Sequence, residues 1–335
     1  MVKVTIKDIA KELNISTATV SRVLSNKGYA SQEIRERVLE TAKRLNYQPN
    51  LIARSLKKHQ TNTIGVILPD ISNPYFMTIS RGMEDTVQQH GYHLIFASGD
   101  DSPKKERDML QVLYKQRVDA IVLAPSGANL DYIEEIKNAG VPVIFVDRNY
   151  DNDPVRFDYV IEDNVKGAYQ LTKYLIQQGH RDIGIVTGPL SISTAAERFK
   201  GFQQALAEFG MKENPAYIYK GDYSKSTGYE AAKWFLDRKE GPTAIFSSNN
   251  HITFGILRRL AEYGLSRFEH LTIASYGENE AAQLLDTPKI ISVKQSPYEM
   301  GVKVGEILID RLIHHKEDPV YKKFDPIFRI PDEYH

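Results

Sequence analysis

Cysteine is absent from the 335 residues, which excludes disulfide staples and thiolate metal sites while leaving the compartment open. Long apolar runs are missing too. No stretch approaches the ~20 residues needed to cross a bilayer, and the start Met1-Val2-Lys3-Val4-Thr5-Ile6-Lys7-Asp8 is not a signal peptide, so a cytoplasmic protein without a membrane partner is expected. No G-x-G-x-x-G follows a strand and no Gly-Lys pair occurs, which removes the two common phosphate cradles of α/β enzymes. There is no H-E-x-x-H, and the adjacent His314 and His315 point to different faces of a helix end. No metal, cofactor or catalytic residue is therefore expected. Net charge is lacking as well, with 43 basic and 43 acidic residues.

That balance conceals a division. Residues 1–60 hold 12 Lys or Arg against 5 Asp or Glu, leaving 31 against 38 for the remainder. A basic head is drawn to phosphate, and an acidic body discourages the rest of the molecule from lying on DNA. Within the head, Ile6, Ile9, Ala10 and Leu13 recur at helical spacing, Asn14 suits a left-handed turn, and Ser16 suits the N-cap of a second helix. Val20, Val23 and Leu24 turn inward there. Thr17, Ala18, Ser21, Arg22 and Ser25 remain outside, small residues plus one guanidinium on a helix fit to enter a major groove. A third helix after Ser31 turns Ile34, Val38, Ala42 and Leu45 inward, so residues 1–46 form a three-helix helix-turn-helix unit.

Residues 47–61 form a linker. Pro49 breaks the preceding structure and Asn50 can cap a short helix over Leu51-Ile52-Ala53-Arg54-Ser55-Leu56-Lys57-Lys58. So short a helix is marginal alone and needs DNA or a second subunit to persist.

From residue 62 apolar runs of strand length alternate with helical stretches, as in parallel sheets with crossover helices. The expected strands are 64–68, 93–97, 120–123, 141–146, 159–161, 183–186, 244–247, 271–274 and 290–293. Ile64-Gly65-Val66-Ile67 and Ile183-Gly184-Ile185-Val186 open two similar series, implying two subdomains with a cleft between them. Ligands of such sheets bind beyond the carboxyl ends of the strands. Asp147-Arg148 follows one strand, and a carboxylate beside a guanidinium suits vicinal hydroxyls.

Thr5-Ile6-Lys7-Asp8-Ile9-Ala10, Ser16, Ala18-Thr19-Val20-Ser21-Arg22-Val23-Leu24 and Tyr47, Pro49, Asn50, Ala53, Leu56 resemble, in order and spacing, the headpiece of the LacI/GalR family of bacterial transcription repressors. The resemblance implies that Thr17, Ala18 and Arg22 read base edges and that the hinge helix lies in the minor groove with Leu56 wedged between central base pairs. Further DNA contacts are implied for Thr5, Ser16, Thr19, Ser21, Asn26, Tyr47, Asn50, Ala53, Arg54 and Lys57. The likeness covers the body, which is similar to periplasmic sugar-binding proteins. It implies an effector site of Asn73, Tyr75, Phe76, Asp147, Arg148, Arg198, Tyr223, Asn249, Gly277 and Gln295.

The expected architecture is α/β: the headpiece and hinge helix, then an effector-binding and dimerisation domain over 62–335 of two doubly wound parallel-sheet subdomains, about 62–161 plus 292–325 and about 162–291. The expected function is a repressor of a carbohydrate-utilisation operon that binds a palindromic operator as a homodimer and answers a sugar or sugar derivative. A ligand-binding sensor or enzyme without operator binding is the alternative. The tail after Lys316 shows no heptads, favouring a dimer over a coiled-coil tetramer. One departure stands out: Ser275-Tyr276-Gly277-Glu278 places glycine where the family usually has a sugar-binding aspartate, and Asn250 replaces another. Losing such an acceptor weakens a sugar site by about 1.5–3 kcal/mol. Either the ligand is not an ordinary free sugar, or Glu278 supplies the carboxylate through a small shift of its loop.

Overall fold

The computed structural model describes residues 4–25, 28–47, 60–150, 156–279 and 284–329, and the chain divides into two units, 1–61 and 62–335. In the first unit, α1 (Ile6–Leu13) is held at its start by Asp8, whose Oδ2 accepts the Thr5 backbone N–H at 2.8 Å. It ends at Asn14, left-handed at φ 51°. Ser16 Oγ accepts the Thr19 N–H at 3.1 Å and starts α2 (Thr17–Leu24), and Ser31 Oγ caps α3 (Gln32–Arg44) in the same way through the Ile34 N–H at 3.3 Å. Ile9, Ala10, Val20, Val23, Val38 and Ala42 form the buried core, with Ile6, Leu13, Leu24, Ile34 and Leu45 around it. The helical periodicity is thus fully used in packing three helices together.

The body holds two six-stranded sheets. The first is built from β1 (Thr63–Leu68), α4 (Pro74–Val87), β2 (His93–Ser98), α5 (Pro103–Lys115), β3 (Ala120–Leu123), α6 (Leu130–Asn138), β4 (Val143–Val146) and β5 (Asp158–Glu162). The chain then crosses to the second half: α7 (Asn164–Gln177), β6 (Ile183–Thr187), α8 (Ser193–Glu208), β7 (Ile218–Lys220), α9 (Lys225–Leu236), β8 (Ala244–Ser247), α10 (Asn250–Tyr263), β9 (Thr272–Tyr276) and β10 (Lys289–Lys294). It returns through α11 (Pro297–Leu312) to β11 (Tyr321–Phe324), then crosses a third time to β12 (Ile327–Arg329). The strand orders are β11-β5-β4-β3-β1-β2 and β12-β10-β9-β8-β6-β7, all parallel except β10 with β12. Order reverses between β1 and β3 and between β6 and β8, which opens a crevice at the carboxyl ends of both sheets.

One boundary differs from the sequence reading, and one segment it left unassigned finds its place. Ser292–Lys294 lie in the second sheet, because β10 pairs with β9, and the third crossing returns residues 327–329 to that sheet as well. The strands β7, β11 and β12 were not expected. They are three or four residues long on sheet edges, and Tyr321-Lys322-Lys323-Phe324 has no buried face to impose an apolar run. Among the described residues no helix is long and apolar enough to cross a membrane.

The returning helix is fixed in two ways. Arg311 grips Asp158 at the start of β5 with both ends of its guanidinium, Nη2 to Oδ1 at 2.6 Å and Nε to Oδ2 at 2.9 Å. Glycines let α11 lie directly on α4: a Cβ on Gly301 would stand 1.9 Å from the Ile79 carbonyl oxygen, and one on Gly82 would stand 2.2 Å from that of Tyr298. Backbone cannot yield as a side chain can. Gly301→Ala should therefore destabilise the body by about 1–3 kcal/mol, seen as a lower urea midpoint. An unchanged midpoint would show that the two helices separate freely.

Candidate functional site

The headpiece presents a polar face. Ala18, Ser21 and Arg22 are exposed on the side of α2 away from Val20 and Val23, together with Thr17. Ser16 is exposed and Thr19 half-buried, with their hydroxyls 2.9 Å apart, and Thr5 is exposed at the start of α1. Tyr47 is half-buried against the headpiece core. Asn26, Asn50, Ala53, Arg54, Leu56 and Lys57 lie outside the described residues.

In the body, nine of the ten expected effector residues line one cleft of about 560 Å³: Asn73, Tyr75, Phe76, Asp147, Arg148, Arg198, Tyr223, Asn249 and Gln295. Asn73 and Asn249 serve local structure as well. Asn73 caps α4 by accepting the Tyr75 N–H at 3.1 Å, and Asn249 caps α10 by accepting the Ile252 N–H at 2.7 Å while donating to the Tyr223 carbonyl at 3.1 Å. Tyr75 and Phe76 meet edge to face at 5.2 Å, an aromatic wall for the apolar face of a ring. The Tyr75 hydroxyl donates to Asp147 Oδ1 at 2.8 Å; burial first, then the Asp147 charge, push its pKa well above the ordinary phenol value. Asp147 sits in left-handed backbone at φ 66°, a strained conformation for a residue with a Cβ.

Beside it Arg148 donates from Nη1 to Asp101 Oδ1 at 2.5 Å and to the Pro125 carbonyl at 3.2 Å, while its buried Nε, 3.8 Å from Asp147 Oδ2, has no hydrogen-bond partner among the described residues. Arg198, only 5% exposed, lies 3.8 Å over the Tyr276 ring. Its Nε donates to Asn164 Oδ1 at 2.8 Å and its Nη1 to the Ser248 carbonyl at 2.7 Å. The Tyr223 hydroxyl is 3.1 Å from Thr194 Oγ1. Polar contacts that link the halves across the cleft include Asn250 Nδ2 donating to Asn73 Oδ1 at 3.0 Å, the Asn149 N–H donating to Ser193 Oγ at 3.1 Å, and His251 Nδ1 lying 3.8 Å from Asp70 Oδ2. Asn250, a departure from the expected aspartate, is thus an uncharged clasp.

Gly277 does not join the other nine. It lines an adjoining recess with Glu278, Asn279 and Pro297, and a Cβ there would meet Gln295 Oε1 at 2.9 Å in backbone already left-handed at φ 92°. Glu278 faces that recess and not the main cleft, so the expected substitute carboxylate is not in place. A different carboxylate was missed. Glu162, at the end of β5, is 1% exposed, and its Oε2 accepts from the Tyr276 hydroxyl at 3.1 Å and from Gln295 Nε2 at 3.0 Å, while Oε1 has no hydrogen-bond partner among the described residues. Burial raises its pKa to about 7, against the lowering effect of the nearby Arg198 charge. The signal was a carboxylate ending the apolar run Tyr159-Val160-Ile161 where the chain was expected to change subdomains.

The family model described as periplasmic binding proteins and sugar binding domain of LacI family matches residues 61–320, and that described as bacterial regulatory proteins, lacI family, matches residues 5–50. The chain belongs to the LacI family of bacterial regulatory proteins. This LacI-family chain is 32% identical over 308 residues to the HTH-type transcriptional repressor PurR of Actinobacillus pleuropneumoniae serotype 5b (strain L20), covering 92% of its own length and 91% of the relative's. It is 33% identical over 309 residues to catabolite control protein A of Priestia megaterium, with 91% of each chain covered. The structure of the transcriptional regulator CelR–cellobiose complex is similar at a TM-score of 0.72 and 26% identity, over 98% of this chain and 99% of that one. The LacI-family chain is a DNA-binding regulator with a ligand-binding body.

Glu162 makes that body sensitive to pH. Its carboxyl binds its proton more tightly folded, at about 7, than at the ordinary 4.5. The stabilisation is complete below the unfolded pKa and is lost as pH rises through the folded one. Between about pH 4.5 and about pH 7 the wild-type body should lose about 1.4 kcal/mol per pH unit relative to Glu162→Gln, and the difference should level off above about pH 7. Urea titrations of both proteins across that range measure it, and parallel stability profiles would refute it.

Proposed function

We propose that the chain represses a carbohydrate-utilisation operon in the cytoplasm, gripping a palindromic operator as a homodimer and adjusting that grip to a sugar derivative held between the two subdomains. One observation carries the reading. Asp147, Arg148 and Arg198, all buried polar groups from both halves of the body, converge on a cleft with an aromatic wall. Buried charges of this kind exact a desolvation penalty that core packing alone does not call for. Thr17, Ala18 and Arg22 serve as the base-reading residues, with phosphate attraction from the basic head. Their polar, exposed placement on α2, opposite Val20 and Val23, supports this assignment.

A ligand touching both subdomains favours the closed arrangement. If the operator favours one arrangement over the other, ligand and operator bias the same equilibrium and each changes the other's affinity by the same factor. The residues of segment 47–61 thereby acquire the task of carrying the bias from body to headpiece.

A footprint on DNA upstream of the chain's own gene tests the reading, since no protection at low salt would refute it. Two substitutions separate its parts. Arg22→Ala should cost about 1–3 kcal/mol of operator affinity and relax base preference at one position, with the ligand response intact. Asp147→Ala should leave operator affinity unchanged and abolish the response. Fluorescence anisotropy on labelled operator reads both, and a wild-type dose–response from Asp147→Ala would show that the effector binds elsewhere.

A further inference from the structure

The body receives the linker at one residue, and that residue is held on both sides. Asn62 precedes β1 in left-handed backbone at φ 56°, a conformation disfavoured for side chains with a Cβ and tolerated best by asparagine and aspartate. Both of its backbone groups are bonded. Its N–H donates to Asp119 Oδ2 at 2.7 Å, and its carbonyl accepts the His93 N–H at 3.0 Å. Asp119, half-buried, is tied in turn to the strand that Asn62 introduces, because its own N–H donates to the Thr63 carbonyl at 2.8 Å. The two anchors stand at the amino ends of β3 and β2, the strands that flank β1, where Ala120 pairs with Ile64 and His93 with Thr63. Entry into β1 does not require this arrangement. An exposed N–H ahead of a strand can bond to water, and extended backbone enters a strand without strain. What the clamp fixes is the direction from which the chain arrives.

Resting on the reading of the chain as a homodimer on a palindromic operator, we infer that Asp119 is a positioning residue for operator binding: by clamping Asn62 it sets the direction in which the linker leaves the body, and with it the half-site spacing that the dimer accepts. The peptide joining Thr61 to Asn62 is planar, so the path of the linker's last residues turns on the dihedrals of Asn62. A hydrogen bond to a carboxylate is about twice as strong as one between neutral groups, and here it holds φ where the residue alone would not stay. Without Asp119 the N–H turns to water, and Asn62 relaxes toward extended backbone and swings the preceding chain. Twofold symmetry repeats the exit in the second subunit, so play at Asn62 counts twice in the distance between the two recognition helices. A fixed exit accepts one spacing of half-sites, and a loose one accepts several. The clamp also makes the end of the linker part of the first subdomain, so a rotation of that subdomain reaches the linker without slack.

The test uses the full chain and a palindrome that the wild-type protein selects from random-sequence DNA. Fluorescence anisotropy measures affinity for that palindrome and for a copy with one base pair inserted at its centre, which moves one half-site by about 3.4 Å and about a tenth of a turn. The ratio of the two affinities is the readout. Because both are measured on one preparation, a reduced folded fraction cancels. Wild type should lose at least about tenfold on the insertion. Two substitutions loosen the exit in different ways: Asp119→Ala removes the acceptor, and Asn62→Val places a β-branched side chain where left-handed backbone is strained. Each should lose no more than about threefold on the insertion. Asn62→Gly accepts the same backbone and keeps both bonds, so it should retain the wild-type ratio. A wild type indifferent to the insertion would overturn the inference, as would a wild-type ratio from either Asp119→Ala or Asn62→Val, or a glycine variant as permissive as the valine one. All of these leave the regulatory reading standing, whereas a wild-type chain that selects no palindrome overturns that reading and the inference with it.

Discussion

The body depends on hydrogen bonds to one buried carboxylate at the place where its chain changes sheets. β5 ends at Glu162 and the chain passes into the second half, while β10 ends one residue before Gln295 and the chain passes back. Both Tyr276, on the second sheet, and Gln295 donate to Glu162 on the first. Removing a donor from a buried carboxylate costs several times more than removing one from a solvated group. Any rotation between the halves is therefore least costly when it keeps this cluster together and pivots on it. The contacts farther out are of another kind. Asn73–Asn250 and Asn149–Ser193 are uncharged and only partly buried, so water can replace each partner at little net loss.

The parts of this arrangement differ in how far they could be read from the sequence. Central strands were legible because burial on both faces imposes continuous apolar runs, as in Ile64 to Leu68 and Val143 to Val146. The edge strand Tyr321–Phe324 was not, since exposed edges impose no such run. Strand-end positions brought nine effector candidates to one cleft, because parallel topology places all those ends together. Gly277 lies in the adjoining recess for a local reason, its left-handed backbone and the neighbouring Gln295 amide. Glu162 was invisible for a non-local one. A glutamate at a strand end reads as solvated, and its burial depends on Tyr276, 114 residues away in sequence.

The headpiece reaches stability by other means. Six buried side chains make a small core for three helices, so local terms weigh heavily: the Asp8 bond at Thr5, the left-handed Asn14, and the Ser16 and Ser31 caps. Each cap is worth about 1 kcal/mol. Because these terms are short-range, they were the most legible features of the chain. They also leave Thr17, Ala18, Ser21 and Arg22 exposed on the outer face of α2, outside the core.

A regulator of this design responds only to the difference in a ligand's affinity for its two arrangements. A ligand held by α4 and the β4 end alone, through Tyr75 and Asp147, would bind open and closed forms equally and shift nothing. Response needs a ligand long enough to engage Arg198 or Asn249 from the second half at the same time, adding to the weak Asn73–Asn250 clasp the contacts that distinguish closed from open. A shift from about 1:99 to 99:1 requires about 5.5 kcal/mol of such difference. Hydroxyl contacts at about 1 kcal/mol each fall short unless several are made at once, whereas a charge-assisted bond to a buried guanidinium contributes about 1.5–3 kcal/mol. For a ligand bound in this cleft, engagement of a buried group of the second half such as Arg198 would therefore separate the two states more strongly than contact with the aromatic wall of the first half alone.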